Sequence, residues 1–293
     1  MDPLSRRGWL LFLALGLIWG TPYLMIRVAV REVDPATLLF ARTALASFIF
    51  LPVMVRQGTW RRLRPAWRWI ALYALVEMGI PWLLMGQAET RISSSLTGLL
   101  VAAVPLIGAV VTRLTHPEDR LGWFRGLGLL LGTVGVATLV GVDVRGATWL
   151  GVALMLVVAA GYAVGPVIIS LKLAELPGLD VVGCSVALVA VAYAPFGLTH
   201  LPAHLSAQVA WCVLGLAVVP TVLGFLSFFY LIKEVGPHRS MMVTYVNPVV
   251  AVALGVVLLG EPITTGMLIG FPLIVAGAYI ATSRSPQASV VER

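Results

Sequence analysis

Apolar runs of about 20 residues, the length that carries an α-helix across the hydrocarbon core of a bilayer, recur along the chain and alternate with short polar connections. Gly8 to Val30 and Met241 to Gly260 are two of them. Taken together the runs predict ten helices near 9–30, 36–55, 67–86, 93–112, 122–141, 147–170, 180–199, 208–231, 240–259 and 264–283. The connections carry turn residues, as in Val33-Asp34-Pro35, Leu176-Pro177-Gly178 and Gly236-Pro237. The expected fold is an all-α integral membrane protein with ten transmembrane helices and no linker between soluble lobes.

Composition sharpens this picture. Hydrophobic residues make up 59% of the chain and charged ones 11%, against about 45–50% and about 25% in soluble domains. Little sequence is left over for a separate ATPase, receptor or catalytic domain. Cys184 and Cys212 stand alone in apolar windows, so they suggest helix packing and not a disulfide framework or metal cluster. Arg6 and Arg7 before an apolar run imitate a signal peptide, but the run is too long and lacks a small-residue cleavage site, which predicts an uncleaved first span.

The net charge of +7 comes from basic residues in the connections, which speaks for membrane orientation and against nucleic acid. With a cytoplasmic N-terminus, fifteen Lys and Arg residues fall inside and only Arg31, Arg91 and Arg145 outside. That bias predicts that both termini are cytoplasmic.

The chain also resembles itself. At an offset of 143 residues Trp19 meets Tyr162, Gln87 meets Tyr230, Pro105 meets Pro248 and Glu118 meets Glu261. After a one-residue shift Gly128 meets Gly270 and Gly135 meets Gly277. These pairings predict units at 1–141 and 147–283, followed by a cytoplasmic tail at 284–293. Because five spans is an odd number, the second unit must be inverted relative to the first, a plan used by secondary transporters. Duplication kept only for stability is the alternative.

Leu17-Ile18-Trp19-Gly20, Leu39-Phe40-Ala41-Arg42, Asn247-Pro248 and Leu259-Gly260-Glu261-Pro262-Ile263-Thr264 resemble motifs of the drug/metabolite transporter superfamily, EamA type, over nearly the whole chain. The first copy departs from them: Val104-Pro105 stands for Asn-Pro, and His116-Pro117-Glu118-Asp119 for Gly-Glu. The resemblance implies a multi-pass exporter of the bacterial inner membrane, with spans 1–4 and 6–9 around a central cavity and spans 5 and 10 at the periphery. Family substrates are small metabolites, amino acids and drugs. The chain is most similar to amino acid exporters, including the aromatic amino acid and paraquat branch.

Charges at bilayer depth are costly and therefore functional candidates. Glu77 lies near the midplane of the third span, with Tyr73 one turn before it and Pro81 one turn after. A structural hydrogen bond between helices is its bland alternative. Arg42, roughly 9 Å deep by helix rise, has three readings: pairing with Glu77, pairing with a substrate carboxylate, or snorkelling outward. It corresponds to the family's Phe-Arg with one residue intervening.

Trp19, Tyr23 and Arg27 form a stripe on the first span, Arg27 near enough to the surface to suggest anchoring, while Tyr162 is the repeat counterpart of Trp19. Their rings suit flat or cationic ligands. Tyr245 and Asn247 belong to the most polar patch of the ninth span, where Pro248 frees a carbonyl. Pro81, Pro105 and Pro248 are the candidate hinges, and Pro22, Pro166, Pro195, Pro220 and Pro272 are also expected to bend their spans.

Gly128 and Gly132, with Gly266 and Gly270, permit close helix approach within the chain or in a homodimer, so the protein is expected to be a monomer or homodimer. His116, His200, His204 and His238 lie at loops or span ends and are expected to face solvent.

Neither H-E-x-x-H, G-x-S-x-G nor a Walker motif occurs. The expected protein is therefore no enzyme, uses no cofactor or metal, and takes a small-molecule substrate through the lipid bilayer by alternating access. A broad drug or cation exporter and a passive channel are the alternatives. Proton antiport and facilitated diffusion both remain open, with Glu77 as the only deep carboxylate identified.

Overall fold

A computed structural model describes residues 5–56, 58–115, 123–143, 148–236 and 240–282. The expected tail 284–293 lies outside the described residues, as do Glu118, Arg145, His116 and His238.

Among the described residues ten helices are long and apolar enough to cross a membrane. Spans 1 to 5 are Arg6–Ala29, Pro35–Arg56, Trp60–Glu89, Ser94–Leu114 and Trp123–Gly141. Spans 6 to 10 are Trp149–Leu173, Gly178–Thr199, Ala207–Val235, Met241–Leu259 and Thr265–Thr282. The third span is longer at both ends than the sequence pattern predicts. Its polar start hides a helical turn at Trp60–Leu63 and a 3-10 turn at Arg64–Ala66.

Several spans are not uniform α-helices. Span 3 contains a π-helical segment, Ala74–Gly79, span 6 another at Ile169–Leu173, and span 8 a third at Ala217–Leu223. Span 4 breaks between Val101 and Val104, and span 9 opens as a 3-10 segment, Met241–Tyr245, before its α-helix starts at Asn247. Each break has a proline close by, because proline lacks the amide hydrogen that would bond the carbonyl four residues earlier. Helix nevertheless continues through Pro22, Pro195 and Pro272. At Pro22 the freed carbonyl of Ile18 is satisfied by the Thr21 hydroxyl at 2.8 Å.

Neighbouring spans come in matched sets. Spans 2 and 7, 4 and 9, and 5 and 10 pack as pairs, while contact of span 1 with span 8 has its counterpart in span 6 with span 3. Contact of span 1 with span 9 likewise matches span 6 with span 4. The π-helical segments starting at Ala74 and Ala217 are 143 residues apart, the same offset as the sequence pairings.

Lipid offers no hydrophobic drive for helices to associate, so close packing must hold these pairs together. Spans 5 and 10 touch through backbone: a Cβ on Gly135 would lie 2.6 Å from the Ile274 nitrogen and 2.8 Å from the Gly270 oxygen. Gly128 and Gly277 are closed by facing backbone in the same way, while a Cβ on Gly132 would meet the Leu106 side chain of span 4. These glycines thus pack within the chain. Among the described residues three buried clusters form the core, and Tyr162 packs on the two larger ones.

A polar clasp joins span 4 to the connection between spans 9 and 10. Gly260 ends span 9 with φ 67°, a left-handed value that suits glycine, and turns the chain so that Glu261 reaches the start of span 4. Its carboxylate accepts from the Ser94 amide at 2.8 Å, the Ser94 hydroxyl at 3.0 Å, the Ser95 amide at 2.9 Å and the Ser95 hydroxyl. Partial burial pushes the carboxyl upward, but these donors outweigh it and hold it below its ordinary range.

A group lowered in this way stabilises the fold above its ordinary pKa, near 4.5, and loses that contribution as pH falls through the lowered value. Glu261→Gln is therefore expected to lower the unfolding temperature at pH 7 by an amount corresponding to about 1–3 kcal/mol. The difference from the parent protein should shrink as pH falls below that ordinary value. Thermal unfolding in nanodiscs across that range checks it, and a difference independent of pH contradicts the charge-based origin.

Candidate functional site

Five of the eight candidate ligand-facing residues meet in one buried polar cluster built on spans 1, 2, 3 and 6. Arg42 on span 2 is 6% exposed. Its guanidinium carbon lies 3.7 Å from the centroid of the Trp82 ring on span 3, and its Nε donates to the Thr221 hydroxyl on span 8 at 3.0 Å. Thr221 is available because Pro220 has no amide hydrogen. The freed Leu216 carbonyl takes the Thr221 hydroxyl proton at 2.7 Å, leaving the hydroxyl oxygen to accept from Arg42.

Of the three readings of Arg42, neither pairing with Glu77 nor an outward snorkel is found among the described residues. Stacking on Trp82 and the bond to Thr221 hold the guanidinium inward. A stacked, desolvated guanidinium is stabilised by about 2 kcal/mol. Among the described residues this arrangement leaves its terminal nitrogens without a carboxylate partner.

Glu77 lies in the π-helical segment of span 3. A π turn takes in an extra residue for each hydrogen-bonded loop, and such turns are frequent at functional sites. Pro81 follows closely and packs with the Val76 carbonyl against Gly161 of span 6, where a Cβ would come 2.5 Å from the Val76 oxygen and 2.7 Å from Pro81. One turn along span 6, Gly165 makes room for the Glu77 carboxylate. The Glu77 Oε2 is buried with no hydrogen-bond partner.

Buried Tyr73, on the same span, interacts electrostatically with Glu77 and Tyr162. Tyr162 interacts electrostatically with both Glu77 and Arg42 and forms a side-chain hydrogen bond with Trp82. The expected grouping of Tyr73, Glu77 and Pro81 on span 3 is present, reshaped by the π turn. Tyr193 of span 7 donates to the Gly79 carbonyl at 3.1 Å at the end of that turn.

Tyr23 of span 1 is 4% exposed and interacts with Tyr162 and Glu89. Glu89, at the end of span 3, is fully buried, and both carboxylate oxygens lack a hydrogen-bond partner. Arg27 donates to its backbone carbonyl and also interacts with it electrostatically. Glu77 is therefore not the only buried carboxylate, and Arg27 is a half-buried partner of Glu89 instead of a surface anchor.

The remaining candidates separate from this cluster. Trp19 turns toward span 8, donating to the Pro220 carbonyl at 3.1 Å and packing on Phe225 and Phe228. Tyr245 is drawn to span 10 by a hydrogen bond with Thr282. Asn247 is buried with Oδ1 unpartnered, and its carbonyl lies beside Gly20. Pro105 starts the second half of span 4 and Pro248 the α-helical part of span 9. His200 and His204 are exposed. Among the described residues no group of three or more His, Cys, Asp or Glu could hold a metal ion.

Trp82, Thr221 and Glu89 were not legible as site residues. Trp82 and Thr221 matter through neighbours on other spans, while Glu89 sits where a span is expected to end.

Comparison with known proteins agrees with this architecture. The EamA-like transporter family matches the chain twice, over residues 6–141 and 149–283. YedA of Escherichia coli, described as an uncharacterized inner membrane transporter, is 30% identical over 295 residues, covering 95% of this chain and 94% of its own. A probable terminal-alkyne amino-acid exporter of Streptantibioticus cattleyicolor is 26% identical, covering 96% and 95%. A crystal structure at 20% sequence identity superposes with a TM-score of 0.66 over 95% of this chain and 98% of its own. With ten membrane-spanning helices and two matches to one family, the chain is a multi-pass membrane transporter and belongs to the EamA-like transporter family of the drug/metabolite transporter superfamily.

Proposed function

We propose that the protein exports zwitterionic amino acids across the bacterial inner membrane by alternating access, with both termini cytoplasmic. The carrying observation is that Arg42 and Glu77 share one aromatic cluster without pairing with each other, Tyr162 interacting with both. Arg42 offers its fork to the substrate carboxylate and Glu77 its carboxylate to the ammonium group. Tyr73, Trp82 and Tyr162 surround the side chain. The matched packing of spans 1 and 8 with spans 6 and 3 supports two inverted units that exchange conformations about this cluster. The similarity to an amino-acid exporter supports the substrate class, and the similarity to YedA supports the membrane.

Counterflow in proteoliposomes tests the proposal. Saturable exchange of free amino acids, weakened by methyl esterification of the carboxyl, is the expected result. Unsaturable flux, with a cysteine at Tyr162 labelled from both faces at once, would instead establish a channel. Transport of organic cations with no amino acid exchange would establish a drug exporter.

A further inference from the structure

Span 3 runs for 30 residues, about 45 Å of helix, against a hydrocarbon core of about 30 Å. Its first turns therefore extend into the headgroup layer. They carry Trp60, Trp67 and Trp69, which are 66%, 58% and 41% exposed, and tryptophan concentrates at that layer because its ring is apolar and its N–H polar.

Arg61, Arg64 and Arg68 recur on one face of this segment and, with Pro65 and Trp67, line a surface cleft of about 550 Å³. Among the described residues none of these arginines forms a hydrogen bond or ion pair, although Arg68 lies over the Trp67 ring at 5.7 Å. Lys172, at the end of span 6, lies 4.9 Å over Trp69 and adds a positive charge on the same side.

A second groove, of about 440 Å³, follows span 2 into the apolar layer. Phe48, Leu51, Pro52 and Val55 line it, with Arg56 at its headgroup end. Arg56 and Arg61 flank the tight turn through Gly58 and Thr59, whose amides bond back to Val55 and Met54, so the basic cleft and the apolar groove lie on the two arms of one turn. The pairing of unneutralised guanidinium groups with an adjoining apolar groove matches one molecule: a phospholipid with an anionic headgroup.

We infer that the connection between spans 2 and 3 is a binding site for an anionic phospholipid, with its phosphate held by Arg61, Arg64 and Arg68 and an acyl chain along Phe48, Leu51 and Val55. Arginine suits this task because its planar fork binds two phosphate oxygens at once. The site is separate from the central cluster and does not depend on which substrate is carried.

Native mass spectrometry of the full chain, released from micelles containing equal phosphatidylglycerol and phosphatidylcholine, tests the inference. Phosphatidylglycerol is expected to remain bound to the parent protein in preference to phosphatidylcholine. The variant Arg61→Gln, Arg64→Gln, Arg68→Gln should weaken retention on the order of a hundredfold, given the contribution of each basic residue at a charged membrane surface. A variant with the same loss of charge elsewhere, Arg6→Gln, Arg7→Gln, Lys233→Gln, should retain the lipid.

Leu51→Trp, which leaves the basic residues and hence membrane insertion untouched, should weaken diacyl phosphatidylglycerol while sparing the dihexanoyl form. Equal retention of the two lipids by the parent protein, or equal losses in both charge variants, would overturn the inference. So would displacement of the lipid by millimolar glycerol phosphate, which would indicate a site for soluble phosphate.

Discussion

Glu77→Gln is expected to reduce amino acid counterflow in proteoliposomes by an order of magnitude or more while the protein still folds. Gln matches the shape of the side chain that Gly165 accommodates, so packing is preserved. What disappears is the charge available to the substrate ammonium group, and charged hydrogen bonds are roughly twice as strong as neutral ones. Among the described residues the parent carboxyl has no partner at Oε2, so the substitution breaks no hydrogen bond there. Unfolding temperature and gel-filtration profile should remain close to those of the parent. Parental transport rates in the variant would remove Glu77 from the mechanism.

Arg42→Lys should be nearly as damaging even though the charge remains. Lysine supplies no planar group to lie flat on Trp82 and no Nε to reach Thr221. Losing a desolvated stack of about 2 kcal/mol corresponds to roughly a thirtyfold loss in transport efficiency. Trp82→Leu should cause a similar loss, and combining the two should cost far less than the product, because they remove one shared interaction. Counterflow rates across the four proteins measure this coupling. Independent, multiplicative effects would show that the stack does not organise the site.

The ten spans were legible because hydropathy is a property of continuous sequence, and so was Glu77, a charge surrounded by apolar residues. The partner of Arg42 was not. Depth along a helix places two groups at the same level, but only the packing of spans 2, 3 and 8 determines that the guanidinium meets Trp82 and Thr221. Glu89 escaped notice because the predicted third span ended at residue 86, whereas the helix continues to Glu89 and buries it. Tyr245 fits a polar patch in the sequence, but its hydroxyl turns to Thr282. The π turns leave no mark in hydropathy, since they change how carbonyls and amides are matched and not which residues are apolar.

The constant spacing of two of those turns, Ala74–Gly79 and Ala217–Leu223, gives the site two corresponding distortions with different contents. A π turn contains one residue more than the α-helix around it can bond in register, which frees side chains from the regular helical ladder. The segment in span 3 places Glu77 beside Gly165. The one in span 8, with Pro220, presents the Thr221 hydroxyl to Arg42. One segment thus carries the acid and the other anchors the arginine.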